Sequence, residues 1–337
     1  MKSVKTILFL DSSLYGGIET HLVQLVRLLK TNHLNVEVLF YQDHNNKQLY
    51  QNLEESNCDY SFLDGKVHSL FRYLNKLTSP YLLHTHGYKA GIIGRITCKL
   101  LNSRCVSTYH AGEDGAGLVY IYNHIDKLTS FLSKNFVVSH RLLEQVSNAE
   151  VLDNFVEITA PTPAIHSEKL KIGFVGRLSH EKGPDNFLEL ARRFIANNKF
   201  SFHVFGDGPM AKTLQKDKPN NIEFYGHQEN SSFWENLDVL VISSRAEGLP
   251  MVLLEAMARS KCVISFDVGA VSKVISHKSN GFICTSNSVD ELHDTVLSWS
   301  EAEVHTKGLL TQNAFKTIET HFNGKKQFEQ LNKAYFG

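Results

Sequence analysis

The sequence predicts an α/β protein built from two doubly wound, Rossmann-like domains that face a central cleft. Three observations predict it. Short apolar runs of strand length alternate with amphipathic segments of helical spacing, and the alternation occurs twice over. Several runs end in a glycine-bearing loop that feeds a helix, as at Gly16-Gly17, Gly176-Arg177 and Gly206-Asp207. A stretch from 151 to 169 carries Pro161 and Pro163, has little helical periodicity and separates the two sets. The expected domains are 1–157 and 158–324, followed by an amphipathic terminal helix over 325–337.

Composition agrees with this. A chain of 337 residues suggests two domains, and 42% hydrophobic with 21% charged residues is an ordinary globular balance. The formal net charge is zero, which argues against nucleic acid as a partner. The five cysteines are odd in number and none has Cys-x-x-Cys spacing, so neither a disulfide framework nor a zinc cluster is indicated. Reduced thiols in a cytoplasmic protein fit best. The N-terminal MKSVKTILFLDSS lacks a small-residue cleavage site and reads as a first strand, not a signal peptide. No apolar segment is long enough to span a bilayer.

In the first half, strands are expected at Thr6–Leu10, Val36–Tyr41, Tyr60–Leu63, Tyr81–His86, Arg104–Tyr109 and Lys134–Ser139. Helices are expected from Glu19 to Lys30, from Lys89 to Leu101 and over 140–147. Paired glycines before the first helix allow close backbone approach, but the turn lacks G-x-G-x-x-G, so a dinucleotide site is not favoured. From Lys66 to Arg104 there are seven basic residues and no acidic one. Such a run is commonly a solvated face; the other reading is a surface for anionic lipid or a phosphorylated acceptor. His84 and His86 lie on one face of their strand. With His110 they could form a metal site, but neighbouring carbonyls can satisfy them equally well, so no metal is expected. The segment 113–128 is either a mobile cover or an ordinary helix.

In the second half, Leu170–Val175, Phe200–Phe205, Ile222–Tyr225, Leu237–Ile242, Cys262–Phe266 and Gly281–Cys284 are the expected strands. Arg177 and Lys182 flank the first strand-to-helix turn, where two cations beside a helix N-terminus can neutralise a diphosphate. After Leu237–Ile242 comes SSRAEGLPMVLLEAMA, with Glu247, a Gly248-Leu249-Pro250 turn, and Glu255 inside an apolar helix. Pro250 suits the first helical position.

The two acids eight apart, around Gly-Leu-Pro, resemble the E-x7-E element of the retaining GT-B glycosyltransferases of family 4, which includes glycogen synthases and bacterial mannosyl- and glucosyltransferases. G-R-x5-G at Gly176–Gly183 resembles that family's phosphate-gripping loop, and Gly16-Gly17-x-Glu19 its opening helix. The likeness covers nearly the whole chain and is strongest over 170–283. It implies that Glu247 meets hydroxyls of a donor sugar and Glu255 the ribose. It further implies that Arg177 and Lys182 stabilise the leaving diphosphate and that His110 bonds the sugar. Gly16 and Gly17 then approach the diphosphate or acceptor, while Gly206 and His227 lie around the base and ribose. The sequence departs from the family's Gly-Gly-x-Pro-Glu at Gly269-Ala270-Val271-Ser272-Lys273.

The resemblance implies transfer of a hexosyl unit from a nucleotide diphosphate sugar to a sugar or lipid-linked glycan, with anomeric configuration kept. No Asp-x-Asp occurs, and no cofactor or metal is expected. Assembly of a bacterial surface polysaccharide or lipopolysaccharide, at the cytoplasmic face of a membrane, is the expected setting. The same residues admit a sugar-nucleotide epimerase of this architecture, a glycoside hydrolase using the Glu pair, or a non-catalytic sugar-nucleotide-binding protein.

Overall fold

The computed structural model describes residues 4–13, 15–110, 118–138, 140–158, 169–228 and 232–337. The chain divides into two compact units, one formed by 1–157 with 324–337 and the other by 158–323.

The first unit runs β1 (Lys5–Leu10), α1 (Gly17–Thr31), β2 (Asn35–Phe40), α2 (Lys47–Glu55), β3 (Asp59–Phe62), α3 (Val67–Asn75), β4 (Tyr81–His86), α4 (Tyr88–Leu100), β5 (Cys105–Tyr109), α5 (Leu118–Leu128), β6 (Lys134–Val137), α6 (His140–Leu143) and β7 (Ala149–Val151). All strands pair in parallel, in the order β3-β2-β1-β4-β5-β6-β7. Alternate β1 residues build two cores, as strand geometry requires. Leu8 and Leu10 pack with Leu22, Leu25 and Val26 of α1 on one face. Ile7 and Phe9 pack with Leu70 and Ile93 on the other. The terminal helix joins the first of these cores through Leu331 and Tyr335.

The second unit runs β8 (Leu170–Val175), α7 (Pro184–Arg193), β9 (Phe200–Phe205), α8 (Ala211–Lys216), β10 (Ile222–Phe224), β11 (Val239–Ile242), α9 (Met251–Ala258), β12 (Cys262–Phe266), β13 (Phe282–Cys284), α10 (Val289–Glu301) and α11 (Val304–His321). The terminal helix, α12 (Lys325–Phe336), then belongs to the first unit. The second sheet is also all parallel, ordered β10-β9-β8-β11-β12-β13. Helix α9 is buried almost all round because it packs on β11, β12 and α11, so its apolar run has no polar face.

Three expectations change. The helix expected over 140–147 is the single turn His140–Leu143. Of the segment 113–128, residues 118–128 form α5 and 113–117 lie outside the described residues. The basic run is not one solvated surface. Arg95 is fully buried, pairing with Asp126 and donating to Ser107 Oγ at 3.1 Å. Lys89 pairs with Asp11 at 2.8 Å, and Arg104 donates to the carbonyl oxygens of Tyr335 and Gly337. Buried guanidinium is stable only when paired this completely.

Candidate active site

In each unit the strand order reverses once beside the first strand, between β1 and β4 and between β8 and β11. Loops leaving the carboxyl ends of strands on either side of such a reversal form the ligand crevice of open α/β sheets. The second unit shows how the sequence builds one. The loop after β8 carries a 3-10 turn, His180–Lys182, and ends in Gly183 at φ 60°. A Cβ there would collide with the Ser243 carbonyl oxygen, so only glycine lets the two loops touch. They are then laced together. Ser243 Oγ donates to the Gly183 carbonyl at 2.8 Å, and Asn186 Nδ2 to the Ser243 carbonyl at 3.0 Å. The backbone N–H of Arg245 donates to Glu181 O at 2.8 Å. Arg245 also grips Asp185 through both guanidinium arms at 2.8 and 2.5 Å.

That lacing sets Lys182 on Glu247. Lys182 Nζ donates to both carboxylate oxygens, at 2.9 and 2.7 Å, and Ser244 Oγ donates to Glu247 Oε1 at 2.7 Å. The Glu247 side chain is only 6% exposed and that of Lys182 33%, so the pair presents its cation outward. The backbone under Glu247 is fixed from a third side. Gly269 lies at φ 59°, where a Cβ would strike the carbonyl oxygens of Glu247 and Gly248, and Ala270 N–H donates to Gly248 O at 2.8 Å. The unusual sequence after Gly269 therefore keeps the glycine this contact needs.

The other expected residues of this unit fall around the same loops. Arg177 is exposed on the β8 loop. Burial opposes ionisation of Glu181, but the Ser179 hydroxyl and the nearby charges of Arg177 and Lys182 outweigh it and hold its carboxyl below the usual range. Leu249 is buried. Pro250 is the N-cap of α9, with ψ 126°, so the helix opens one residue later than the sequence suggests. No side chain caps it, and the first turn of a helix is where backbone N–H groups can meet an anion. Glu255 sits partly buried on α9; burial raises its pKa and the Arg259 charge opposes the rise. Gly206 N–H donates to the Gly226 carbonyl at 2.8 Å, which ties the loops after β9 and β10, and His227 is exposed on the latter.

In the first unit, Gly16 caps α1. Its N–H is taken by Glu19 Oε2 at 2.8 Å, and Ser12 Oγ donates to Glu19 Oε1 at 2.5 Å. Glu19 is thus a capping-box acid, and the Gly16 amide is not available to a diphosphate. Gly17 is exposed with open space where a side chain would stand. His110 follows β5 and meets His86: Nδ1 of His86 lies 3.0 Å from Nε2 of His110. Burial lowers the pKa of both well below the usual imidazole value. His84 is satisfied, but by hydroxyls where carbonyls were expected, Tyr335 Oη at 2.7 Å and Thr108 Oγ1 at 2.8 Å.

Comparison with known proteins decides the family. Residues 157–317 match the family described as Glycosyl transferases group 1, and residues 15–156 match Glycosyltransferase Family 4. The chain is a GT-B glycosyltransferase. An uncharacterized glycosyltransferase of Methanocaldococcus jannaschii is 27% identical over 293 residues, covering 82% of this chain and 73% of that protein. The UDP-Gal:alpha-D-GlcNAc-diphosphoundecaprenol alpha-1,3-galactosyltransferase of Escherichia coli is 24% identical, covering 79% and 78%. The crystal structure of Anabaena HepE in complex with UDP superposes with a TM-score of 0.79 at 17% identity, covering 97% of this chain and 98% of that one.

Three residues beside the expected site residues of the two units escape a reading of the sequence. Ser244 and Arg245 look like loop polarity until the fold sets them on Glu247 and Asp185. His21 lies one turn into α1, amid residues read only for their apolar face. It is fully buried, with Nδ1 3.1 Å from Asn154 Oδ1 and its ring centroid 4.7 Å from that of His110. A lone histidine on a core-facing helix carries no signal by itself; only the sheet brings it to His86 and His110.

Proposed function

We propose that this glycosyltransferase is a retaining hexosyltransferase. The donor is a nucleotide diphosphate sugar, UDP-linked rather than GDP-linked, and the acceptor a sugar or lipid-linked glycan hydroxyl. The second unit would hold the donor and the first the acceptor. One observation carries the reading: the outward cation of Lys182, locked on buried Glu247 beside the uncapped start of α9.

The chemistry follows from that arrangement. As the sugar leaves, negative charge builds on the diphosphate, and preorganised cations and N–H dipoles lower the barrier there. Lys182 and Arg177 supply the charge, and the Gly248-Leu249-Pro250 turn brings in the helix terminus. These groups do the work a divalent ion would otherwise do, so transfer proceeds without metal. Glu247 keeps Lys182 in place and accepts from sugar hydroxyls, Glu255 accepts from the ribose, Gly206 and His227 border the nucleoside, and neutral His110 bonds the sugar. Gly17 leaves room for a ligand beside the start of α1. Retention needs no covalent intermediate on any of these groups.

The UDP in the HepE crystal and the UDP-Gal donor named for the Escherichia coli relative favour uridine, and that relative's diphosphoundecaprenol acceptor favours a lipid-linked glycan. Relatives named for O-antigen biosynthesis favour surface polysaccharide assembly. No described helix is long and apolar enough to cross a membrane; contact with the inner face would rest on exposed Tyr120, Ile121 and Tyr122 of α5 together with the exposed members of the 66–104 run. Equal binding to anionic and neutral vesicles would remove the basic residues from that contact.

The decisive experiment is a nucleotide-release assay across UDP- and GDP-sugars, with and without EDTA, with the anomer of the product read by NMR. The expected result is UDP released only with acceptor, unaffected by EDTA, and a product of the donor's anomeric configuration. An isomerised sugar nucleotide formed with no nucleotide released would instead establish the epimerase.

A further inference from the structure

We propose that His21, His86 and His110 form a binding site for a divalent transition metal of the zinc and cobalt class, one ion per chain. Nitrogen atoms from the three imidazoles lie within 4.8 Å of one another. Three imidazoles around Zn²⁺ at about 2.0–2.1 Å would place their nitrogens about 3.3 Å apart, so small ring movements close the set.

The hydrogen bonding around the cluster points the same way. An amide oxygen only accepts, so the 3.1 Å contact with Asn154 Oδ1 leaves the proton of His21 on Nδ1 and the lone pair on Nε2. That Nε2 is buried and has no hydrogen-bond partner among the described residues, and neither has Nε2 of His86. Two buried, unpartnered imidazole nitrogens beside a third imidazole are costly as they stand. An outer acceptor that fixes the tautomer of a ring whose other nitrogen is free is how metal-binding histidines are ordinarily supported. Nearby His84 is different, because both its nitrogens are occupied by Tyr335 and Thr108; it stands outside the ligand set. His110 is the least buried of the three, so a solvent or substrate oxygen can complete a tetrahedron from its side.

A consequence rests on the transferase reading given above. An ion that engages His110 removes it from the sugar, so bound metal inhibits transfer that itself needs no metal.

The test uses the full chain, stripped with chelator. Co²⁺ titration should give saturable ligand-field absorption of tetrahedral intensity at one ion per chain, and Zn²⁺ should abolish it. His21→Gln and His110→Gln, checked for native circular dichroism and melting, should each weaken Co²⁺ affinity at least tenfold, whereas His227→Gln should not. A wild-type spectrum no different from aqueous Co²⁺ overturns the site without any variant, and so does unchanged affinity in a folded His21→Gln chain. With the site established by absorption, UDP release should fall at saturating Zn²⁺ and return with EDTA. Release that persists there would overturn the inhibitory consequence alone, and absence of release under every condition would count against the transferase reading and leave the metal site standing.

Discussion

Lys182 Nζ lies 2.9 and 2.7 Å from the two carboxylate oxygens of Glu247, and the carboxylate is the buried partner. A sparsely exposed acid held by a half-exposed base is poor value as a surface ion pair but suits a cation that must stay fixed while charge grows in front of it. Lys182→Ala should therefore lower turnover at least tenfold, about 1.4 kcal/mol, at saturating donor. Steady-state UDP release with the folded variant checks this; turnover equal to wild type would show that the cation does not face the leaving group.

Gly183→Ala should damage the same site through the backbone. The substitution demands φ near 60° and sets a methyl against the Ser243 carbonyl oxygen. A cost of about 1–3 kcal/mol is expected for such strain, together with weaker donor binding as the loops part. Urea unfolding and UDP affinity measured on one preparation test it, and a variant matching wild type in both would contradict the described loop contact.

How much of this was legible in the sequence depends on range. Strand Tyr81–His86 and strand Phe200–Phe205 could be read directly, because an apolar run closed by glycine needs no tertiary information. The residues proposed to hold the donor were legible as a spacing, since Glu247, Gly248, Leu249 and Pro250 are contiguous. What could not be read was pairing across sequence distance. Nothing local says that Lys182 rests on an acid 65 residues away, that Arg95 is buried against Asp126, or that His21 joins His86 and His110. At Gly16 the paired glycines were legible but not the fate of the amide, which donates to Glu19, three residues on.

Acid should loosen the first unit in a chelated sample. Burial lowers the pKa of His21 to about 4 and that of His84 to about 3. The unfolded chain therefore binds more protons than the folded one below about pH 6.5, and folding stability rises with pH there. It is complete above pH 6.5 and falls as pH drops towards 4, by an amount on the order of 3 kcal/mol for His21 alone. Chemical denaturation between pH 7.5 and 4.5 measures the slope. His84→Asn should flatten it if the chain still folds, and His21→Gln should do the same.

Tyr335→Phe tests the tie between the last helix and β4. The hydroxyl lies 2.7 Å from His84 Nδ1 in a fully buried setting, and removing it leaves a ring nitrogen unpaired at a cost of about 1–3 kcal/mol. The melting temperature should drop while UDP affinity, which the proposed function assigns to the other unit, stays unchanged. Loss of both would mean that the two units do not unfold separately.

Helix α12 fills the first core with Leu331 and Tyr335, although it is the last segment of the sequence. During synthesis, the unit that leaves the ribosome first cannot complete its interior until Lys325–Phe336 has been made. The half made later already has every strand it needs by residue 323. The order of completion is thus the reverse of the order of translation, and a nascent chain stalled before residue 325 would leave uncovered the part of that core sealed by Leu331 and Tyr335, with His84 lacking its Tyr335 partner.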